Sequence, residues 1–293
     1  MTMTREQAFA RMKTLLEMIK FSHTIFAFPF ALMGVVLASL ASGHAPGFWQ
    51  IFWICVAMVG ARSAAMGLNR LIDARIDADN PRTAERHIPS GQVSVVEASL
   101  FIVVATAIFL LAAWMLNPLC FKLAPVVLSL FVLYAYCKRF THYAHVVLGL
   151  CLAAAPIGAW IALRGDIGWP VIALGLAVLF WVAGFDIFYA LQDYDYDVKA
   201  GLHSVPSRLG IEKSFVLVRI FHGLMLLFLL LVMPGSGLGW IYFAGVVVVA
   251  GLLVYEHSLV KPDDLSRLDA AFFNMNGYIS VTIFVFTLID ALI

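Results

Sequence analysis

Nine stretches of the chain are apolar over close to the roughly 20 residues that a helix needs to cross a bilayer. They run over 22–41, 47–68, 95–115, 118–137, 143–163, 168–191, 214–233, 238–256 and 271–291. The joins between them are short. Two are marked by helix breakers, Asn117-Pro118 and Pro234-Gly-Ser-Gly-Leu-Gly239, which separate neighbouring helices. The pattern predicts an all-α membrane protein of nine transmembrane helices, one integral-membrane domain over 1–293 with no soluble domain and no long linker. Met1 to about Lys20 is polar and mildly amphipathic. It lacks the cleavage site of a signal peptide and reads as a helix lying on the membrane surface.

Composition supports this reading. The chain has 293 residues, 62% apolar and 13% charged, with a mean hydropathy of +0.94. A soluble domain would carry about 25% charged residues. The formal charge of +1 hides an uneven distribution. With the N-terminus in the cytoplasm, only Lys122 and Arg164 fall in outer loops, Arg62 and Arg219 fall within spans, and the remaining fifteen of the 19 basic residues fall inside. That bias predicts a multi-pass protein of a bacterial cytoplasmic membrane, with the N-terminus and the polar inner loops cytoplasmic. No basic tract suggests nucleic acid as a partner. Cys55, Cys120, Cys137 and Cys151 are scattered through apolar segments, so neither a disulfide framework nor a zinc site is expected.

Two acidic stretches stand at inner helix ends. The first places Asn69, Asp73 and Asp77 four residues apart. The second places Asp186, Tyr189, Asp193 and Asp197 at i, i+3, i+7 and i+11. On a continuous helix each set lies along one face. Like charges stacked at that spacing repel, and a cation between them removes the penalty. Mg2+ takes carboxylate oxygens and leaves positions for phosphate oxygens. Asp73, Asp77, Asp193 and Asp197 are the candidate metal ligands, with Asn69 a neutral ligand or phosphate contact. Asp79 and Asp195 lie off the rows and read as solvated.

Cations and tyrosines accompany the rows. Arg62 lies two helical turns before Asn69, too deep to be a topology signal, and an arginine there needs an anion. Tyr134 and Lys138 are four residues apart at the end of the fourth span, followed by Arg139. Tyr134 and Tyr189 can donate to phosphate or offer a ring face to a cation. Asp186 is deeper than the other carboxylates and reads as a general base, a ligand to metal-bound water or a partner of Arg62. The breaker-rich loop 80–91, with Arg82, Arg86 and His87, reads as a lid or a connector. Arg219, His222, Glu256, His257, Asn274 and Asn276 complete the polar residues of the later spans.

Two metal ions and several cations around a diphosphate make it a leaving group. An apolar chamber suits a long hydrocarbon tail and shields an allylic cation from water. The residues therefore point to prenyl transfer from a lipid diphosphate.

These stretches resemble the UbiA superfamily of intramembrane prenyltransferases over nearly the whole chain. The first signature, Asn-x-x-x-Asp-x-x-x-Asp, matches Asn69, Asp73 and Asp77, and the pattern after it matches Arg82-Thr83, Arg86, Pro89 and Gly91. The second matches Asp186, Tyr189-Ala190, Asp193 and Asp197, followed by Gly201 and Ser204. Tyr134, Lys138, Arg139 and Thr141 match the stretch between. Arg62 falls where members carry a phosphate-contacting arginine. The resemblance implies a bundle around a central cavity open to the membrane, Mg2+ dependence, a polyprenyl diphosphate donor and a small aromatic acceptor. It implies C-prenylation of a hydroxylated aromatic acid in ubiquinone or menaquinone biosynthesis. Asp186, Lys138, Tyr134 and Tyr189 are then the catalytic candidates, and Asn69, Arg62, Arg139, Arg70, Arg82 and Ser204 the substrate-binding ones. Many hydroxybenzoate enzymes carry Asp after the first Asn, whereas Arg70 stands here. Together with the opening 21–29, this looks like a bacterial subgroup partly linked to the futalosine route to menaquinone (the MqnP type). The acceptor is accordingly either 4-hydroxybenzoate or 1,4-dihydroxy-6-naphthoate, its carboxylate held by Arg70, Arg139 or another inner cation. The same fold also serves haem O, chlorophyll and archaeal lipid synthesis. A cation-coupled transporter and a non-catalytic lipid-binding protein are the readings from other classes. The sequence leaves tail length and oligomeric state open.

Overall fold

A computed structural model describes residues 5–20, 27–265, 268 and 274–293. The opening 21–26, Arg267 and the start of the last expected span lie outside the described residues. The chain forms α1 (Arg5–Met18), α2 (Phe28–Ser42), α3 (Phe48–Ile72), α4 (Ala74–Asp79), α5 (Val95–Leu116), α6 (Pro118–Cys137), α7 (Ala144–Arg164), α8 (Trp169–Ala190), α9 (Tyr194–Ala200), α10 (Val205–Leu209), α11 (Ile211–Leu230), α12 (Trp240–Leu259) and α13 (Asn276–Leu292). Among the described residues seven helical segments are long and apolar enough to cross a membrane, and α2 and α13 are shorter apolar helices. These match the nine expected spans. Helix α3 runs four residues past its expected end and so takes in Asn69 and Arg70.

The polar residues between spans set the helix ends. Ser94 starts α5 with a capping box: its hydroxyl accepts from the Glu97 N–H at 3.2 Å and its own N–H donates to the Glu97 carboxylate at 2.9 Å, satisfying two donors that the first turn would leave open. Asn117 ends α5 in extended backbone and caps α6, accepting from the Cys120 N–H at 2.8 Å. Pro118 then fits the first helical position, where no N–H is needed.

Helix α8 is the buried column of the bundle. It packs between α7 and α11; α2 packs on α7 and α13, α12 on α13, and α3 on α5 with α6 alongside. Phe30, Trp181 and Phe185 interlock at its centre, with ring centroids 4.9 and 5.0 Å apart. At Gly149 of α7 a Cβ would stand 2.5 Å from the Leu179 carbonyl of α8, so the absent side chain lets the two backbones meet. Trp49, Trp114, Trp169 and Trp240 are exposed at helix ends that share the face of the bundle opposite the acidic stretches, as an interfacial aromatic belt would be. The N-terminal helix α1 is tied to the protein: Arg11 pairs with Glu97 and donates to the Gln92 carbonyl at 2.7 Å, and Met18 and Ile19 are buried against Val93 and Ala98.

Candidate active site

Both acidic rows are broken at their middle aspartate, which corrects the expectation of continuous helices. Helix α3 stops at Ile72 and α4 begins at Ala74, with Asp73 between them at φ −87°, ψ 1°. Helix α8 gives way to a single 3₁₀ turn, Leu191–Asp193, before α9, and Asp193 sits at φ −101°, ψ 7°. Both occupy the sparsely populated bridge region between α and β backbone. No Gly or Pro marks either break. Each aspartate instead spends its carboxylate on side chains from elsewhere. Asp73 accepts from Asn69 at 2.9 Å and from Arg139 at 3.0 Å. Asp193 accepts from Asn80 at 2.9 Å and from both arms of Arg82, with Arg82 Nε at 2.8 Å.

Loop 80–91 is thereby fastened across the two rows. Arg82 reaches Asp193, donates to the Tyr189 hydroxyl at 3.1 Å and lies 5.3 Å from the Tyr189 ring centroid. Burial works against the Arg82 charge, but the hydrogen bonds and charge of Asp193 prevail and raise its pKa. Arg86 donates to Asp77 Oδ1 at 2.6 Å, while Asp77 Oδ2 is buried without a partner. The Thr83 hydroxyl donates to the Asp77 carbonyl at 3.0 Å. From the second row, the Tyr196 hydroxyl donates to the Ile76 carbonyl at 3.1 Å. Burial pushes the Asp73 carboxyl above its ordinary range, opposed by the charges of Lys138 and Arg139. Gly201, at φ +66°, closes α9 with its N–H on the Asp197 carbonyl. That left-handed turn suits glycine and brings Ser204 to the Asp197 carboxylate.

Between the rows lies a polar cavity of about 200 Å³. Asn69, Arg70, Asp73, Asp77, Arg82, Lys138, Asp186, Tyr189, Asp193, Asp197 and Ser204 line it, together with Arg62 and Tyr134 at its inner end. Arg139 is the exception among the expected site residues. It is drawn outside the cavity by Asp73 and by the Ala135 and Ile72 carbonyls, each at 2.8 Å. Asp79 and Asp195 are exposed. Lys138 makes no ion pair within 4 Å among the described residues, yet its charge acts on Asp73, Asp193 and Asp197. Arg70 is buried, with Nε on the Met18 carbonyl at 3.3 Å. His222, Glu256 and His257 do not line the cavity; the two histidines pack behind α8 on Phe188.

A second cavity, of about 240 Å³, continues from the first between α3, α5, α6 and α7. Its walls are almost wholly apolar, with Ala61, Phe109, Ala124, Phe131 and Gly158 among them. The two chambers share Arg62, Met66, Tyr134, Leu148 and Leu152. Arg62 Nε is buried there without a hydrogen-bond partner, a cation held at the mouth of an apolar chamber.

Two site residues carry no signal in the spacing of the rows. Asn80 sits in the breaker-rich loop 80–91, yet its amide braces Asp193. His145 opens an apolar span, and its ring stands 2.7 Å from Asp186 Oδ2. This is the partner that Asp186 takes in place of Arg62. A histidine at the first turn of an otherwise apolar span was the available signal.

The donor set suits a hard divalent cation. Four buried carboxylates line one chamber, and a buried Asp77 oxygen is left without a partner. Among the described residues no three acidic, His or Cys side chains converge on one point. Mg2+ commonly takes one or two carboxylates and fills its octahedron with phosphate oxygens and water.

The sequence matches the model of the UbiA prenyltransferase family over residues 27–278. The 4-hydroxybenzoate octaprenyltransferase of Vibrio campbellii is 32% identical over 82% of this chain and 84% of its own length. The enzyme of the same name from Escherichia fergusonii is 31% identical over 82% and 83%. The apo structure of a UbiA homolog from Aeropyrum pernix superposes with a TM-score of 0.82 at 29% identity, covering 92% of this chain and 98% of that one. A UbiA homolog from Archaeoglobus fulgidus, bound to GPP and Mg2+, shares the fold with a TM-score of 0.69 at 20% identity, covering 96% and 100%. The chain belongs to the UbiA prenyltransferase family. It is thus a multi-pass membrane enzyme, a UbiA-type polyprenyltransferase.

Proposed function

We propose that the chain transfers a polyprenyl group from its diphosphate to the ring of a hydroxylated aromatic acid of the 4-hydroxybenzoate type, as a step of quinone biosynthesis. The observation that carries this reading is the junction of the two chambers at Arg62 and Tyr134. It gives a diphosphate a polar seat and its tail an apolar one. The names of the curated relatives support the choice of acceptor.

Asp73, Asp77, Asp193 and Asp197 would hold Mg2+, which when bound neutralises the diphosphate and eases its departure. Lys138, Arg62 and Asn69 face the same chamber and bind the diphosphate oxygens. Arg82 and Arg86, paired with Asp193 and Asp77, line the same chamber and add to its positive charge. The Tyr134 and Tyr189 rings border the place where the allylic carbon becomes positive, and ring faces favour a cation. Apolar walls keep water from it. Arg70 is the seat for the acceptor carboxylate: it is buried, lines the chamber, and among the described residues is held by Nε alone, leaving the fork of its guanidinium for a planar anion. The excess of basic residues at the acidic end supports a cytoplasmic position for that end and the N-terminus, with the 293 residues acting as one domain.

The test is turnover in nanodiscs with Mg2+, a labelled polyprenyl diphosphate, and either 4-hydroxybenzoate or 1,4-dihydroxy-6-naphthoate. Prenylated hydroxybenzoate is the expected product. Product from the naphthoate alone would replace the acceptor and assign the enzyme to menaquinone synthesis.

A further inference from the structure

The half-buried Asp186 and the buried His145 form a pair that the diphosphate site does not use. His145 is the second residue of α7 and is 3% exposed. Its Nδ1 lies 2.7 Å from Asp186 Oδ2. Its other nitrogen, Nε2, lies 3.3 Å from the backbone nitrogen of Val205. Val205 is the first residue of α10, and the N–H groups of a first turn have no carbonyl of their own helix to bind. A backbone N–H can only donate, so His145 Nε2 must accept. The ring proton is thereby placed on Nδ1, which donates to Asp186. The same backbone donor fixes both the tautomer and the direction of the imidazole. Val205 is in turn held in place by its neighbour Ser204, whose N–H donates to the Ser207 hydroxyl at 2.9 Å and whose carbonyl accepts from His142 at 2.9 Å.

The other Asp186 oxygen, Oδ1, makes no hydrogen bond among the described residues, and the side chain, 18% exposed, lines the polar chamber. One oxygen is tied and the other is left for a molecule in the chamber that the side chain lines. A carboxylate with one oxygen fixed by a neutral imidazole presents a single aimed base. The row carboxylates Asp73, Asp77 and Asp193 differ, since each is paired with an arginine: Arg139, Arg86 and Arg82 respectively.

We propose that His145 is a positioning residue that fixes Asp186 as the base for the acceptor ring, a role that rests on the aromatic-acceptor reading above. In the step it serves, ring π electrons form a bond to C1 of the prenyl group. The C1–O bond breaks and its electron pair leaves with pyrophosphate. The substituted ring carbon then gives its proton to Asp186 Oδ1, and the C–H electron pair restores the aromatic ring. His145 keeps its own proton throughout.

The experiment compares wild type, His145→Ala, His145→Asn and His145→Gln with Mg2+, a prenyl diphosphate, and hydroxybenzoate bearing either hydrogen or deuterium at the carbon that is prenylated. Loss of an outer hydrogen-bond partner of this kind lowers activity about 10–100-fold, which is the fall in transfer expected for the alanine variant. With ring-proton removal slowed, the alanine variant should show a primary isotope effect absent from wild type. Its ratio of free prenol to prenylated aromatic should also rise, because water captures the cation when the ring adduct reverts. Asparagine, whose amide N–H can reach where Nδ1–H was, should recover much of the lost transfer, and glutamine should not. Equal losses in all three variants without an isotope effect would assign His145 a structural role and overturn the proposal, as would unchanged transfer in His145→Ala. Failure of the aromatic-acceptor reading itself would show separately, as a wild type that releases pyrophosphate and never prenylates the ring.

Discussion

Arg82 grips the carboxylate of Asp193 with two guanidinium nitrogens, its Nε 2.8 Å from Oδ1. The bond spans the two acidic rows, because Arg82 belongs to the loop after the first and Asp193 is the hinge of the second. This arginine supplies the positive charge that the carboxylate needs. Removing it leaves the buried carboxylate with Asn80 as its remaining hydrogen-bond donor among the described residues, and the loss of one hydrogen-bonded partner costs about 1–3 kcal/mol. Arg82→Ala is therefore expected to lower the melting temperature in detergent. Mg2+ should stabilise this variant more than it stabilises wild type. Thermal unfolding over a Mg2+ titration checks both; an identical metal response in the two proteins would mean that Arg82 and the ion do not share Asp193.

Asp73→Asn and Asp193→Asn each keep the shape of the hinge residue and remove its charge. Each should lower turnover at least about 100-fold, the scale on which loss of one charge-stabilising group acts, while the protein still inserts into membranes and elutes as a single species. Turnover assays on the two purified variants decide this. Normal rates in both would remove the metal assignment.

Arg62 stands at the mouth of the apolar chamber with a buried nitrogen lacking a partner. A half-buried cation with an unpartnered nitrogen among apolar walls is costly to desolvate, and an apolar replacement of similar volume removes that cost. Arg62→Met should raise or hold the melting temperature while raising the KM for prenyl diphosphate about 10-fold or more, on the scale of a lost charged hydrogen bond. Stability and affinity measured on one preparation separate these opposite signs. A variant that loses both together would place Arg62 in the scaffold instead.

Gly158 lines the apolar chamber, and a Cβ built there meets nothing within 4 Å. It lies thirteen residues along α7 from His145, about 20 Å at 1.5 Å per residue. Gly158→Leu should fold normally and fill the far end of the chamber. Long polyprenyl diphosphates should lose rate, while a geranyl donor should keep most of it. Competition between the two donors in one reaction reads the ratio directly. An unchanged ratio would route the tail elsewhere.

Much of this arrangement was legible in the residues. The spacing of Asn69, Asp73 and Asp77, and of Asp186, Tyr189, Asp193 and Asp197, was enough to bring all of them to one chamber, because hydropathy placed both rows at helix ends on the same side. The breaks at Asp73 and Asp193 were not legible. They carry no Gly or Pro and follow from guanidinium groups that arrive from loops far along the chain. Arg139 was misplaced for a related reason: its charge suits a phosphate equally well, and only folding shows that Asp73 and two carbonyls hold it outside. The pairing of His145 with Asp186 needed the packing of α7 on α8, which no local pattern encodes.

The sequence of Arg70, Arg62 and Gly158 from one chamber into the next has a consequence for supply and delivery. In the proposed reaction a water-borne reactant enters at one end and an oil-borne reactant occupies the other, so the enzyme would work as a phase boundary folded into a single cavity. In that reaction the new carbon–carbon bond joins a soluble head to an insoluble tail at the point where the two media meet. Its product is anchored from the moment it forms, and whatever acts on it next must find it by diffusion in two dimensions.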